Sequence, residues 1–387
     1  MAHTVVGALS VAHEVTVVCG RPSYEPTERR AWRLWQTERP GTSSIARIVE
    51  IIRVGSTDYS RSRMRRRVLN YLTYVALSVP RAEFVPCDIV VGMTDPPFEG
   101  IVAALVALVK GKPFVYNIRD LYPDMAVGGS IIGAGLLARV WDVLHRWALR
   151  RAARVVVLGE DMRARIIAKG VKAARITVVR DGAEICEVRC EAAVDSEVVR
   201  AIRGDFKFVL VHAGNLGFYG AWETLIEAAR KLSDEGIGLV FVGDGAQRGQ
   251  IESAAVGCTN VRFLPFFPAS KIPSVLASAD AHIVTIKRGL EGVIVPSKMY
   301  GILVAGKPIL AMAPRETDVA AIGERRGFAI WADPDDASQV AGAVREISRS
   351  PEKLRRMGEA ARAAASDYDR VNELREFVRI IEEAHPA

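Results

Sequence analysis

Residues Phe208–Gly245, FVLVHAGNLGFYGAWETLIEAARKLSDEGIGLVFVGDG, contain one complete strand–helix–strand unit. Phe208–Ala213 is a six-residue run dominated by apolar side chains, closed by the turn residues Gly214-Asn-Leu-Gly217. From Trp222 to Leu232 the period changes. Leu225, Ile226, Ala229 and Leu232 recur at helical spacing and form one face. Gly238–Val242 is a second apolar strand, and Gly243–Gly245 its turn. A strand that is apolar on both faces must be covered on both, which predicts a parallel sheet between two layers of helices.

The same alternation continues downstream. Val261–Leu264 and Ala281–Ile286 read as strands, with Ile272–Ala279 a helix between them. Lys298–Ala305 is the next helix, stopped by Gly306, and Pro308–Met312 the next strand. Upstream the pattern is less regular. Glu14–Cys19, Ile89–Gly92, Phe114–Ile118, Arg154–Leu158 and Ile176–Val179 are the expected strands, and Ile101–Val109 and Leu136–Arg150 helices. Two doubly wound α/β lobes fit 387 residues: 1–184, 185–365, and a terminal segment 366–387. Asp181–Gly204 lacks clear periodicity and is the expected linker. A ligand is expected in the cleft between the lobes, at the carboxyl ends of the strands. Only about ten residues precede the first strand, so the strand, glycine turn and helix that usually open such a lobe are expected to be incomplete here.

Composition narrows the function. Half the residues are apolar and a quarter charged, which excludes a disordered or fibrous chain. The longest apolar run, Ile101–Val109, is too short to span a bilayer, and the first residues lack the pattern of a secretory signal. Five scattered cysteines, with Cys186 and Cys190 at a spacing unlike a zinc knuckle, predict a reduced cytoplasmic protein without a metal site. Charge is uneven. Residues 1–184 carry 27 Lys and Arg against 17 Asp and Glu, whereas 185–387 carry 25 against 28. The first half is therefore the one expected to meet an anionic partner.

Several motifs carry chemistry. Gly243-Asp-Gly-Ala-Gln-Arg-Gly249 imitates a dinucleotide fingerprint, but its spacing is GxGxxxG and the next strand leads into Pro265-Phe-Phe-Pro268 without a ribose-binding acid. A tight turn lining the cleft is the better reading. Asp333-Pro-Asp-Asp336 could hold a metal, but it stands directly before a helical pattern, where Asp caps free N–H groups. Pro296-Ser-Lys-Met-Tyr-Gly301 places Pro296 at a helix start, with Ser297 and Lys298 in the first turn; this suits either a phosphate or a plain capped helix. Arg119-Asp-Leu-Tyr-Pro-Asp124 follows a strand and projects charge toward the cleft from the other lobe, and Thr94-Asp-Pro-Pro97 does so more weakly. Arg61–Arg67, leading into Val68–Leu77, and Leu136–Arg154, with Trp141, Leu144 and Trp147 among arginines, suit an anionic membrane surface. A core-facing helix with a solvated basic face suits them equally.

The string PSKMYGILVAGKP at 296–308 closely resembles the donor-binding helix of family 4 glycosyltransferases, in particular bacterial enzymes of polysaccharide and O-antigen synthesis. Gly214–Gly217, Arg119–Asp124, Asp181-Gly182 and His13–Val18 follow the family's order, so the resemblance spans nearly the whole chain. It implies a GT-B fold: an acceptor-binding lobe 1–184, a nucleotide-sugar lobe 185–365, and a last helix, Val371–Ala384, crossing back to the first lobe. It also implies transfer with retention of anomeric configuration, without a cofactor or required metal.

By resemblance, Ser297, Lys298 and the backbone after them hold the diphosphate. Gly214, Asn215 and Gly217 line its side of the cleft, with Gly243, Pro296 and Tyr300 completing the donor set. Phe266 lies where the base pairs with backbone, and Glu291 and Gly292 face the donor sugar. Asp120 approaches the reacting centre, which makes Asp120, Glu291 and Lys298 the catalytic candidates. Arg119, Asp124, Arg65, Arg66 and Arg67 belong to the acceptor and membrane side. The chain departs from many relatives at Gly301, where they carry a ribose-binding Glu, and at Phe218 and Tyr219, where they carry a basic residue. Lys298 is then expected to bear more of the load. The expected partners are a nucleotide sugar, a lipid-linked acceptor and the inner face of the cell membrane, with no nucleic acid. An epimerase acting on the donor alone is the rival enzyme, and an anionic-surface or nucleic-acid binder the rival outside enzymes.

Overall fold

The structure, a computed structural model, describes residues 2–20, 34–39, 49–57, 64–184 and 194–385. In the first lobe the strands are β1 (Val15–Cys19), β2 (Trp35–Glu38), β3 (Val49–Val54), β4 (Val90–Gly92), β5 (Phe114–Asn117), β6 (Arg154–Val157) and β7 (Ile176–Val178). They form two sheets rather than one. β4-β5-β6-β7 is wholly parallel, whereas β1-β3-β2 pairs β3 antiparallel with β2. Among the described residues no strand joins β1 to β4. The chain enters through a helix, Ala2–Ser10, directly before β1.

The second lobe follows the sequence closely. β8 (Phe208–Ala213), β9 (Ile237–Val242), β10 (Val261–Leu264), β11 (Ala281–Thr285), β12 (Ile309–Met312) and β13 (Ala329–Ala332) form one parallel sheet in the order β10-β9-β8-β11-β12-β13. β8, β9, β11 and β12 are buried almost throughout, as strands covered on both faces must be. The order reverses beside β8, so the carboxyl ends of β8 and β11 frame the crevice. The expected linker Asp181–Gly204 is shorter than its composition suggested. Asp195 accepts from the amides of Glu197 and Val198 and starts the helix Ser196–Arg203, which buries Val198 and Ile202 within the second lobe.

The two lobes share one apolar core. Leu121, Met162 and Ile166 from the first pack in the same cluster as Leu290, Val293 and Tyr300 from the second. The last helix, Arg370–Ala384, packs on the first lobe. Phe377, Ile380 and Ile381 bury against Val5, Leu9, Val115 and Val156, each side chain contributing on the order of 2 kcal/mol of apolar burial. Glu373 accepts from the Arg180 amide at 2.8 Å and His13 meets Glu382 at 3.0 Å, fixing the helix across both elements.

A second cross-lobe device joins helix Glu160–Ala168 to helix Asp318–Arg326. Asp318 accepts from the amides of Glu160 and Asp161 at 3.1 and 3.4 Å, while Asp161 accepts from the amide of Asp318 at 3.2 Å. Each helix start is thus capped by a carboxylate from the other lobe.

Candidate active site

Two turns at the carboxyl ends of β8 and β9 make the floor of the crevice. The Leu216 amide donates to Asp244 O at 2.8 Å, and the Gln247 amide to Leu216 O at 2.9 Å. The turns touch backbone to backbone. A Cβ at Gly243, whose φ is +144°, would stand 2.1 Å from Gly214 O, so only glycine permits this approach. Leu216 is fully buried and anchors the turn, leaving Asn215 exposed above it. The Phe266 ring, 57% exposed, leaves β10 beside Gly243 and offers a flat apolar surface at the crevice edge.

Lys298 opens the short helix Lys298–Val304, whose Met299 and Tyr300 amides turn back to Pro296 O and Ser297 O at 3.1 and 3.2 Å. Its amine lies under the first turn, 3.6 Å from where a Gly214 Cβ would be. It meets His212 Nε2 at 3.0 Å and stands 5.8 Å from the centre of the Tyr219 ring. Among the described residues no carboxylate pairs with it. Burial pulls its pKa from 10.5 down to about 7. A buried amine without a counter-ion, walled by glycine backbone, is a ready site for an anion.

The first lobe closes the crevice from the opposite side. The Leu121 amide donates to Val293 O at 2.9 Å, and Asp120 and Ile294 form an antiparallel bridge, so the 119–124 loop is laid against the segment leading into Lys298. Thr94 Oγ1 accepts from the amides of Arg119 and Asp120 at 3.2 and 3.3 Å and fixes the loop from behind. Burial raises the Asp120 carboxyl to about 6, with Arg119 opposing the shift and Asp95 and Asp181 adding to it. Glu291 turns back on its own loop, accepting from the Gly289 amide at 2.7 Å, and Arg165 holds its carbonyl at 2.8 Å.

The fold therefore brings Gly214, Gly243, Phe266 and Lys298 side by side, and lays Asp120 on Ile294, four residues before Lys298, with Ser297 exposed between them. Other residues are placed elsewhere. Tyr300, expected on the donor side, is 2% exposed and packs on Tyr368 behind the helix, because two steps along a helix turn a side chain to the far face. Gly292, expected to face the sugar, sits where a Cβ would come 2.3 Å from Asp161 O; it serves the lobe junction. Asp124 is held by Lys169 at 2.7 Å and Arg165 at 3.4 Å, and Arg119 by Asp181, so both are engaged inside the first lobe. The side chains of Arg65, Arg66 and Arg67 lie outside the described residues.

Asp336 caps the helix Ala337–Ser348, and Asp333 and Asp335 pair with Arg288. Among the described residues no cluster of three His, Cys, Asp or Glu is arranged to hold a metal. His212 was not singled out by the sequence reading. Its signal is slight: one titratable residue in an apolar strand, two positions before a glycine turn.

The helices Leu136–Arg151 and Glu99–Lys110 pack side by side and leave apolar side chains in solvent. Leu136 and Leu137 are 78% and 74% exposed, with Val140, Val143, Leu108 and Val109 also bare. Arg139 and Arg150 are exposed on the same helix as the leucines. Trp141 turns inward and stacks on Tyr122. No described helix is long and apolar enough to cross a membrane.

Comparison with known proteins bears on this geometry. Residues 2–182 match the glycosyl transferase 4-like domain, and residues 199–364 match the glycosyl transferases group 1. The chain is 26% identical over 302 residues to WcaI of Escherichia coli (strain K12), named as a colanic acid biosynthesis glycosyl transferase, covering 76% of this chain and 74% of that one. In fold it resembles WaaG, a glycosyltransferase involved in lipopolysaccharide biosynthesis (TM-score 0.66, 15% identity, 98% and 94% of the two chains). It also resembles Anabaena HepE in complex with UDP-glucose (TM-score 0.64, 19% identity, 80% and 82% of the two chains). These neighbours share the GT-B arrangement of two facing lobes.

Proposed function

The chain belongs to the family 4 glycosyltransferases, and on that premise we propose that it transfers a sugar from a nucleoside-diphosphate sugar to a lipid-linked acceptor in the synthesis of a cell-surface polysaccharide. The observation that carries the donor class is Lys298, an amine without a carboxylate partner beneath the Gly214 turn. A diphosphate supplies the missing negative charge. The exposed Phe266 ring and the 243–245 turn are then the surface for the nucleoside.

Transfer proceeds with retention and without a metal. The bond from the sugar C1 to the diphosphate oxygen breaks as the acceptor oxygen bonds C1 on the same face. The acceptor proton passes to the departing phosphate oxygen. Lys298 stabilises the charge on the leaving group, and Asp120, set against Ile294, orients the acceptor hydroxyl. Support for a membrane-bound acceptor comes from the apolar face of helices Leu136–Arg151 and Glu99–Lys110 with its exposed arginines. Such a face suits the cytoplasmic surface of a bilayer rich in anionic lipid.

The test is a panel of UDP-, GDP-, ADP- and dTDP-sugars offered with a polyprenyl-diphosphate sugar in anionic vesicles, with and without EDTA. The expected result is one donor family consumed, EDTA without effect, and an NMR spectrum showing the donor's anomeric configuration in the product. Conversion of the donor without transfer would replace this reading with an isomerase.

A further inference from the structure

A sugar moving from a diphosphate at Lys298 to an acceptor on the first lobe must pass between the lobes. The segment at that junction is 289–294, on the path from β11 to Lys298. It belongs to the second lobe by sequence, yet the first lobe holds it. The Leu121 amide bonds Val293 O, and Asp120 bridges Ile294. A Cβ at Gly128 would come 2.5 Å from Leu290, and one at Gly292 would come 2.3 Å from Asp161 O. Arg165 donates Nη1–H to Glu291 O at 2.8 Å.

Arg165 is the charged member of this contact, and it is itself braced. Asp161, Arg165 and Lys169 stand four residues apart, so they share one face of the helix Glu160–Ala168 and its end. Arg165 Nε donates to Asp124 Oδ1 at 3.4 Å while Nη1 reaches Glu291 O, and the guanidinium stands 3.9 Å from Glu291 Oε2. The buried Lys169 meets Asp124 at 2.7 Å and Asp142, on the helix Leu136–Arg151, at 2.6 Å. Charge therefore alternates from Asp142 through Lys169, Asp124 and Arg165 to Glu291. A guanidinium carries N–H groups on a rigid fork and can hold Asp124 and Glu291 O together; an ammonium is a point charge without that fork.

We propose that Arg165 is a positioning residue for the donor sugar: anchored on Asp124, it fixes the 289–294 loop at the Glu291 carbonyl, so that the second lobe's sugar-facing loop takes its place from the first lobe. This rests on the reading of the crevice as a nucleotide-sugar site. An arginine that only joined the lobes would affect every ligand alike. One that places the loop acts on the sugar and spares the nucleoside diphosphate.

The experiment uses the whole chain with the UDP-, GDP-, ADP- or dTDP-sugar selected by the transfer panel, and the matching nucleoside diphosphate. Both affinities and the turnover at saturating donor are measured for the natural chain, Arg165→Met and Arg165→Lys. Arg165→Met should bind the nucleoside diphosphate within about twofold of the natural chain, bind the nucleotide sugar about fivefold more weakly, and turn over at least about tenfold more slowly. Arg165→Lys, which keeps the charge but loses the fork, should stay within about threefold of Arg165→Met in turnover.

If Arg165→Met fails to fold, Arg165→Lys and amide hydrogen exchange carry the test. In the natural chain, exchange across 289–294 should slow with the nucleotide sugar and not with the nucleoside diphosphate alone; in Arg165→Lys it should be faster than natural before any ligand is added. Equal weakening of both ligands, natural turnover in either variant, or exchange across 289–294 that the bound nucleotide sugar leaves unchanged would overturn the role of Arg165 while leaving the donor site intact. Binding of none of these ligands by the natural chain would overturn the reading of the crevice and Arg165's role with it.

Discussion

Replacing Lys298 by Met should make the empty protein more stable and the enzyme inactive. Methionine keeps the length and apolar stem of lysine but removes the amine. In the folded chain that amine has a pKa of about 7 against 10.5 unfolded, because burial penalises its charge. The sign follows from proton binding. Between pH 7 and 10.5 the unfolded chain holds the proton and the folded chain does not, so folding is opposed.

At pH 7 the shift corresponds to roughly 4 kcal/mol at 1.36 kcal/mol per unit, and water at the mouth of the crevice reduces this to about 2 kcal/mol. For a lobe of this size that is on the order of 4–8 °C in Tm. The assay is thermal melting of both proteins from pH 6.5 to 10.5, with and without the nucleoside diphosphate. Lys298→Met should melt higher at pH 7, lose its advantage progressively between pH 7 and 10.5, and show no shift with nucleotide. Its kcat/KM should fall at least a hundredfold, as for loss of a charged group that stabilises a leaving anion. A variant that melts at or below the natural chain at pH 7 would refute the claim that Lys298 is a buried amine without a counter-ion among the described residues.

Three further outcomes follow from the geometry. Asp120 has a folded pKa of about 6 against 3.8, so kcat/KM should rise with pH through about 6 as its carboxylate forms; in Asp120→Asn that limb should vanish along with most activity. Asp318→Ala removes the acceptor for two helix-start amides and should lower stability by about 1–2 kcal/mol, measured as a drop in Tm; its nucleotide affinity should stay within twofold. The pair Leu137→Asp and Val143→Asp breaks the exposed apolar face and should cut co-sedimentation with anionic vesicles at least fivefold, while transfer to a detergent-solubilised acceptor continues.

Local sequence decided much of this protein. The apolar runs that became β8 to β12 and the helix spacing between them need only neighbours a few residues away, and the strands fell where the period placed them. The Asp336 cap was legible for the same reason. The turn 214–217 and the helix start at Lys298 were visible as motifs, each set by residues a few positions apart.

What the sequence did not carry is pairing over distance. Asp161 and Asp318 cap each other's helices across 157 residues, and neither position looks unusual alone. β2 and β13 are four-residue strands whose identity comes from the partner they pair with, β3 and β12 respectively. Lys298 and Tyr300 lie two residues apart in one motif, yet one faces the crevice and the other the core, because the packing of Tyr368 fixes which side of the helix is covered. Arg165 became meaningful only when the fold laid it 2.8 Å from a carbonyl 126 residues away. Periodicity reports which face of an element is apolar; only the assembled lobes determine what that face, and the polar groups beside it, will meet.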